Sequence, residues 1–424
     1  MARTGGLTAD QHAVLDAVAA RLPDGPLVVA LSGGGDSAAL AWAVAASGRT
    51  ATAITIDHGL AVSPPLVQAA VAIARLLGME HRVIEIHPPS GSEADLRSAR
   101  LAALEEASPG ATILTAHTAD DQAETVLGNL LRGSGATGMA GIPEHRDPWL
   151  RPLLGLSRTV VRSAALSAGL PFVDDPSNAD VSLRRNRLRH ETIPALAAAY
   201  NPELIGALAR AARFAAADDA LIGERAATVP LRVDQEAVLI PAASLTTLPE
   251  AVAARVVRRA LRLAHHPYPG EAADVGAVLS VVTGGTQQLT GGLLAEREGP
   301  WVAVVAHPEP PPPAPVDLVV PGAAVFGRWR IGAGEDTPAI GRQGAVVSEG
   351  HLVVRAAVPG DRIEFAGGAK KVFDALAEAG VARRLRSRWP VVEADGRIAW
   401  LVGVRAAPLR PGGRVVLSAS KEPW

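Results

Sequence analysis

The stretch LVVALSGGGDSAALAWAVAA, residues 27–46, decides the reading of the first half of the chain. Five β-prone residues (27–31) run into Ser32, Gly33, Gly34, Gly35, Asp36 and Ser37, and an alanine-rich run follows. A strand-to-helix turn needs one glycine; three permit positive φ and close approach of a ligand to bare backbone. The helix is expected to start near Asp36 or Ser37. Its unbonded N–H groups and positive dipole end then face the loop, which favours an anion. A lone acid would repel a bare phosphate, so Asp36 makes sense as a ligand of Mg2+ bridging the phosphates of a nucleotide. The loop is not the Gly-Lys-Ser/Thr phosphate loop, because no lysine is near, nor the G-x-G-x-x-G dinucleotide fingerprint.

Outward from this loop, β-prone runs at 52–57, 81–86 and 111–117 alternate with helical stretches at 36–46, 66–77, 93–106 and 119–131. This spacing predicts an α/β fold, a doubly wound parallel sheet with ligands at the carboxyl ends of its strands. From about 194 to 264 the chain reads as helical, and a few β-like runs follow. The run PEPPPPAP (308–315) reads as an extended, stiff linker. Residues 316–424 hold short alternating runs and one helix near 370–380, a small α+β domain. The expected domains are therefore 1–215, a mainly helical 216–307, the linker 308–315, and 316–424.

The length, 424 residues, suits about three domains. A net charge of −2 advertises no global attraction to nucleic acid or membrane, though a local basic face is compatible with it. The absence of cysteine excludes disulfides, thiolate zinc sites, iron–sulfur clusters and cysteine nucleophiles. The N-terminal stretch lacks the apolar core of a signal peptide, and there is no run of 18 apolar residues. A cytoplasmic protein without membrane contact is expected. Lysine occurs only at 370, 371 and 421, and arginine supplies the remaining basic charge.

A second polar segment, TAHTADDQAETVLGNLLRGSGATGMAGI, spans 115–142. His117, Asp121 and Glu124 stand at i, i+4 and i+7, so within a helix they share one face. Acids in a first helical turn are also ordinary partners of the dipole. Gly133 suits a helix end, and Gly135, Gly138 and Gly141 suggest a mobile loop. Arg185 and Arg189 lie one turn apart and can face one ligand or form a solvated basic face.

The S-G-G-G-D-S loop resembles the pyrophosphate loop of the N-type ATP pyrophosphatases, the PP-loop superfamily. The blocks T-A-H, D-D-Q-A-E-T, R-G-S-G and G-x-x-G-I resemble, more narrowly, the tRNA(Ile)-lysidine synthetase family. IDHGL (56–60), SEADLRSAR (92–100), DPSNADVSLRRNRLRHETIPAL (175–196) and AKKVFDALAEAGVARRLRSRWPVV (from 369) resemble further blocks of it. One departure is Thr118, where a second histidine is common.

The resemblance implies that ATP adenylates the C2 oxygen of the wobble cytidine in an isoleucine tRNA with a CAU anticodon. L-lysine then attacks C2 through its ε-amine and expels AMP. It implies ATP binding by Ser32, Gly33, Gly34, Gly35, Asp36, Ser37 and Asp57, with Asp36 on Mg2+. Asp36, Arg97, His117, Asp121, Glu124 and Arg189 are the implied catalytic residues. Arg100, Arg132, Arg185, Asn186, Lys370, Lys371 and Arg384 are the implied tRNA contacts, and the chain is expected as a monomer or homodimer. Attack needs a neutral amine, whose free pKa is about 10.4; Asp121, Glu124 and His117 are candidates to hold the ammonium and take its proton. His58 is either a cap or part of the site. The alternatives are another PP-loop tRNA modifier, such as a thiolase, and a non-catalytic RNA-binding relative. A thiolase would usually need cysteines, and the complete motifs argue against loss of catalysis.

Overall fold

The computed structural model describes residues 6–59, 63–87, 93–233, 237–266, 272–306, 311–334, 344–409 and 413–421. Leu60 and Ser92, and the side chain of Glu93, from the stretches quoted above lie outside the described residues. The chain forms two compact units, Met1–Leu221 and Ile222–Trp424.

In the first unit the elements follow in the order α1 (Ala9–Ala19), β1 (Leu27–Ala30), α2 (Gly35–Ala46), β2 (Thr52–Asp57), α3 (Ser63–Leu76), β3 (Glu80–Glu85), α4 (Glu93–Glu106) and β4 (Thr112–Leu114). Then come α5 (Ala119–Leu130), α6 (Ala136–Met139), β5 (His145–Arg146), β6 (Trp149–Leu150) and α7 (Arg158–Ser167). Short helices α8 (Arg184–Arg187) and α9 (Ile193–Ala199), joined through a π-helical turn at Leu188–Thr192, lead into α10 (Leu204–Ala227).

The strands form one sheet in the order β3-β2-β1-β4-β6-β5. All neighbours are parallel except the edge strand β5. Because β1 lies in the middle, alternate residues serve two cores. Leu27, Val29 and Leu31 pack with α1, α2 and α7, whereas Val28 packs with Ile54, Ile113, Trp149 and Leu104 of α4. Each fully buried leucine or valine contributes about 1.5–3 kcal/mol. The four buried alanines of α2 (Ala38, Ala39, Ala41, Ala43) let that helix approach closely. The chain leaves β1 toward β2 and β3 on one side, and β4 and β6 lie on the other. This switch point opens a crevice at the carboxyl ends of β1 and β4.

The second unit begins with an antiparallel five-stranded sheet built from Arg232–Val233, Ala237–Pro241, Trp301–Ala306, Leu293–Glu298 and Thr286–Leu289. Helices Glu250–Ala264 and Ala272–Ser280 share its core. The helices match the expected helical middle region; the sheet adds long-range pairings that the β-like runs only hinted at. The remainder holds a five-stranded, a four-stranded and a two-stranded sheet, with one helix at Val372–Glu378 and a shorter one at Arg383–Arg386. Residues 311–315 of the proline run have no regular structure, and 308–310 lie outside the described residues. No helix among the described residues is long and apolar enough to cross a membrane.

The loop after β1 depends on Gly33. Its φ is +83°, and a Cβ there would stand 2.9 Å from the carbonyl carbon of Leu66, with the carbonyl oxygen nearer still. Gly33→Ala is expected to lower stability by about 1–3 kcal/mol through backbone strain alone, and to weaken nucleotide binding. Thermal melting checks this; an unchanged melting temperature would contradict the close approach of α3.

Candidate active site

The structure starts α2 at Gly35, with Gly34 as its N-cap, one residue earlier than the sequence suggested. The first turn therefore leaves the N–H groups of Gly35, Asp36 and Ser37 without intrahelical partners. Ser37 stiffens the loop: its Oγ donates to the Gly34 carbonyl (3.0 Å) and accepts from the Ser32 N–H (3.1 Å). The Gly33 carbonyl accepts from the Val173 N–H at 3.0 Å, and the Phe172 ring packs where a Gly35 side chain would go. Neither Phe172 nor Val173 was flagged by the sequence.

Asp36 lies within this turn. Its Oδ2 accepts from Arg158 Nε at 3.3 Å, while Oδ1 is buried without a partner. Burial raises its pKa, and Arg158 offsets part of that rise. An orphaned, desolvated carboxylate oxygen at the mouth of an amide-lined loop fits a small hard cation. Among the described residues no group of three metal-ligating side chains is assembled. This suits Mg2+, which takes most of its ligands from phosphates and water.

Across the crevice, α5 carries Asp121 and Glu124, both buried. Thr118, itself wholly buried, is the N-cap of α5, and its N–H and Oγ both donate to Asp121 Oδ2, at 2.8 and 2.9 Å. The departure from the family pattern thus has a defined role: it fixes the rotamer of Asp121. Asp121 Oδ1 accepts from Arg158 Nη2 (2.8 Å), Arg185 Nη2 (2.8 Å) and Arg189 Nη2 (3.4 Å). Glu124 accepts from Arg189 Nε (2.6 Å), Arg185 Nε (2.8 Å) and Arg158 Nη1 (3.4 Å). Burial alone would raise the Asp121 carboxyl; Arg158 and Arg185 outweigh it and hold the pKa near about 2. The π-helical turn after α8 carries Arg189, a distortion frequent at functional sites.

Arg158 was missed. It is the first residue of α7, capped by Ser157, and its N–H donates to Asp120 Oδ2 at 2.7 Å. It follows β6, whose two residues leave no alternating pattern to detect. Position at the carboxyl end of a strand was the available signal.

His117 precedes the N-cap of α5, so it is not on the helix, although it remains beside Asp121. Its Nδ1 pairs with Thr115 Oγ1 at 3.0 Å. Burial lowers its pKa to about 4, against the pull of Asp121, with Arg151, Arg185 and Arg100 adding to the depression. Asp57 caps the end of β2 by accepting from the Gly59 N–H at 2.8 Å, and the adjacent His58 has its pKa lowered by burial and by Arg100. Arg97 is exposed on α4, near enough to Arg100 and Arg151 to depress both. Arg132 is exposed and bonds to Asn129.

Of the expected RNA contacts, Asn186 and Arg384 are buried, and Arg185 is partly exposed beside α5. Asn186 is buried and donates its amide to the carbonyls of Ser177 and Asp180, both at 2.9 Å, so it staples a loop. Arg185 is committed to Asp121 and Glu124. Arg384 is buried against Glu298 at 2.6 Å. Lys370 pairs with Glu378, and Lys371 is exposed.

The half-buried, desolvated ring of His117 has a consequence for pH dependence. Its folded pKa lies below that of the unfolded chain, so between about pH 6.5 and 4 the unfolded state binds the extra proton. Its contribution to stability is complete above pH 6.5 and is lost as pH falls toward 4. His117→Gln is expected to flatten the melting-temperature profile in that window; an unaltered slope would contradict a desolvated, neutral ring.

Family models agree with this arrangement: residues 8–196 match the PP-loop domain, and residues 352–411 match the TilS substrate C-terminal domain. A tRNA(Ile)-lysidine synthase of Salinispora tropica is 41% identical over 319 residues, covering 69% of this chain and 94% of the relative. One of Thermus thermophilus is 36% identical over 401 residues, covering 91% of this chain and 70% of the relative. With these two domain matches and relatives 36–41% identical over most of its length, the chain belongs to the tRNA(Ile)-lysidine synthase family.

Proposed function

We propose that the chain joins L-lysine to C2 of the wobble cytidine of an isoleucine tRNA with a CAU anticodon, consuming ATP and releasing pyrophosphate and AMP. One observation carries the reading. Asp36, in the first turn after the glycine loop, keeps one buried oxygen without a partner and shares Arg158, through the other, with Asp121 and Glu124. The leaving phosphates and an incoming amine are thereby served from one crevice.

In the first step the cytidine C2 oxygen displaces pyrophosphate from the α-phosphate. The amides of the glycine loop and of the first turn of α2 receive the leaving group. Asp36 Oδ1 would hold Mg2+, which when bound neutralises phosphate charge. In the second step the lysine nitrogen adds to C2, and AMP departs with the C2 oxygen. Asp121 and Glu124 hold the incoming ammonium. Asp121, kept ionised near a pKa of about 2, is an anchor and not the base. His117 is neutral at physiological pH and takes the departing proton on its imidazole. Of the three candidates, His117 therefore takes the proton and the two acids hold the ammonium.

Arg100 and Arg151 lie near His117, with Arg97 beside both of them, where a phosphodiester next to the target cytidine would find cations. Exposed Lys371 and Arg383 face solvent, as an RNA backbone contact requires. The reading includes a cytoplasmic setting, where tRNA and ATP are both at hand.

Labelled lysine should enter the CAU isoleucine tRNA but not the methionine tRNAs, and Asp36→Ala should abolish pyrophosphate release while filter binding of tRNA stays largely intact. Turnover by that variant would refute the site. Replacing Lys370 and Lys371 together by alanine is expected to flatten the salt dependence of tRNA binding by about one log unit per log unit of salt. An identical slope would remove these lysines from the RNA interface.

A further inference from the structure

Three carboxylates, Asp36, Asp121 and Glu124, meet three guanidiniums, Arg158, Arg185 and Arg189. Among these, Arg158 reaches every carboxylate, with one nitrogen for each, whereas Arg185 and Arg189 engage Asp121 and Glu124 alone. Its contacts to Asp36 (3.3 Å) and Glu124 (3.4 Å) are long for charge-assisted bonds, so it is stretched between two half-sites. Thr118, Arg185 and Arg189 by themselves give each oxygen of Asp121 and Glu124 a donor, and Arg158 adds one further contact to each residue. The three carboxylates and three guanidiniums are charge-balanced, so with Arg158 in place a further cation meets an occupied position and no net field.

We propose that Arg158 is a positioning residue that occupies the place of the lysine ammonium and is drawn off it by the phosphates of bound ATP. Guanidinium forks bind phosphate oxygens bidentately, and a cation arriving on Asp36 displaces the Nε contact. Asp121 and Glu124 then lose one donor each and gain the capacity to take an ammonium. The amine site opens only when there is a nucleotide to activate the cytidine. This rests on the reading that Asp121 and Glu124 bind lysine.

Equilibrium dialysis of labelled L-lysine against the full chain, with and without Mg2+ and α,β-methylene-ATP, tests the coupling. Wild-type protein should bind lysine about tenfold tighter with the nucleotide, within the usual range of coupling between sites. Arg158→Gln should bind lysine tightly without nucleotide, bringing the ratio near one, and Arg158→Lys should retain the nucleotide dependence. A purely structural arginine predicts the reverse for Arg158→Gln, weaker binding in both states. Equal lysine affinity with and without nucleotide in the wild-type protein, while lysine still enters tRNA, overturns this proposal alone and needs no variant to fold. Failure of lysine to bind in any state, or to enter tRNA, overturns the functional reading with it.

Discussion

Two carboxylates buried on one face of α5 impose the constraint on which the first unit is arranged. Taken out of water, Asp121 and Glu124 would be strongly destabilising unless paired and hydrogen-bonded. Their partners come from three places far apart in sequence: Thr118 at the cap of α5, Arg158 at the start of α7, and Arg185 and Arg189 around the π-helical turn. Removing one partner of such a buried group typically costs about 3–5 kcal/mol. The docking of α7 and of the 184–192 segment is therefore coupled to the burial of this pair. A backbone tie, Asp120 to the Arg158 N–H, reinforces the junction of α5 with α7.

That junction places chemistry at the switch point of the sheet. β1 delivers the glycine loop and β4 delivers His117 and the acidic helix, so the two polar sets converge because their strands are neighbours. The close passage of Gly33 under Leu66, and of Phe172 and Val173 against the loop, sets its shape before any ligand arrives. Neighbouring carboxylates diverge in character for local reasons. Asp36 is raised by desolvation and keeps an unbonded oxygen, whereas Asp121 is pinned ionised by guanidiniums.

The second unit uses charge differently. Arg384 and Glu298 are both buried, pairing the short helix at 383–386 with the strand that ends at Glu298. Arg355 is held by Asp361 and Glu393 in a half-buried network at the base of the strand Leu352–Ala356. These arginines serve packing. Lys371 and Arg383, by contrast, are exposed.

By itself the sequence determined the strand–helix alternation, the glycine loop, the acid on it and the presence of Asp121 and Glu124 on one helical face, because these are periodicities and spacings within about 30 residues. It also contained the family resemblance that the relatives bear out. It could not assign partners. Arg158 stands more than a hundred residues from Asp36, behind a strand of two residues that leaves no pattern. Arg185, Asn186 and Arg384 looked like surface cations or RNA contacts, and only the tertiary structure turned the first toward α5, the second into a loop staple and the third into a buried pair. The physical reason is that propensity is local, whereas burial, and with it the need of each charge for a partner, is settled by which distant segments pack together.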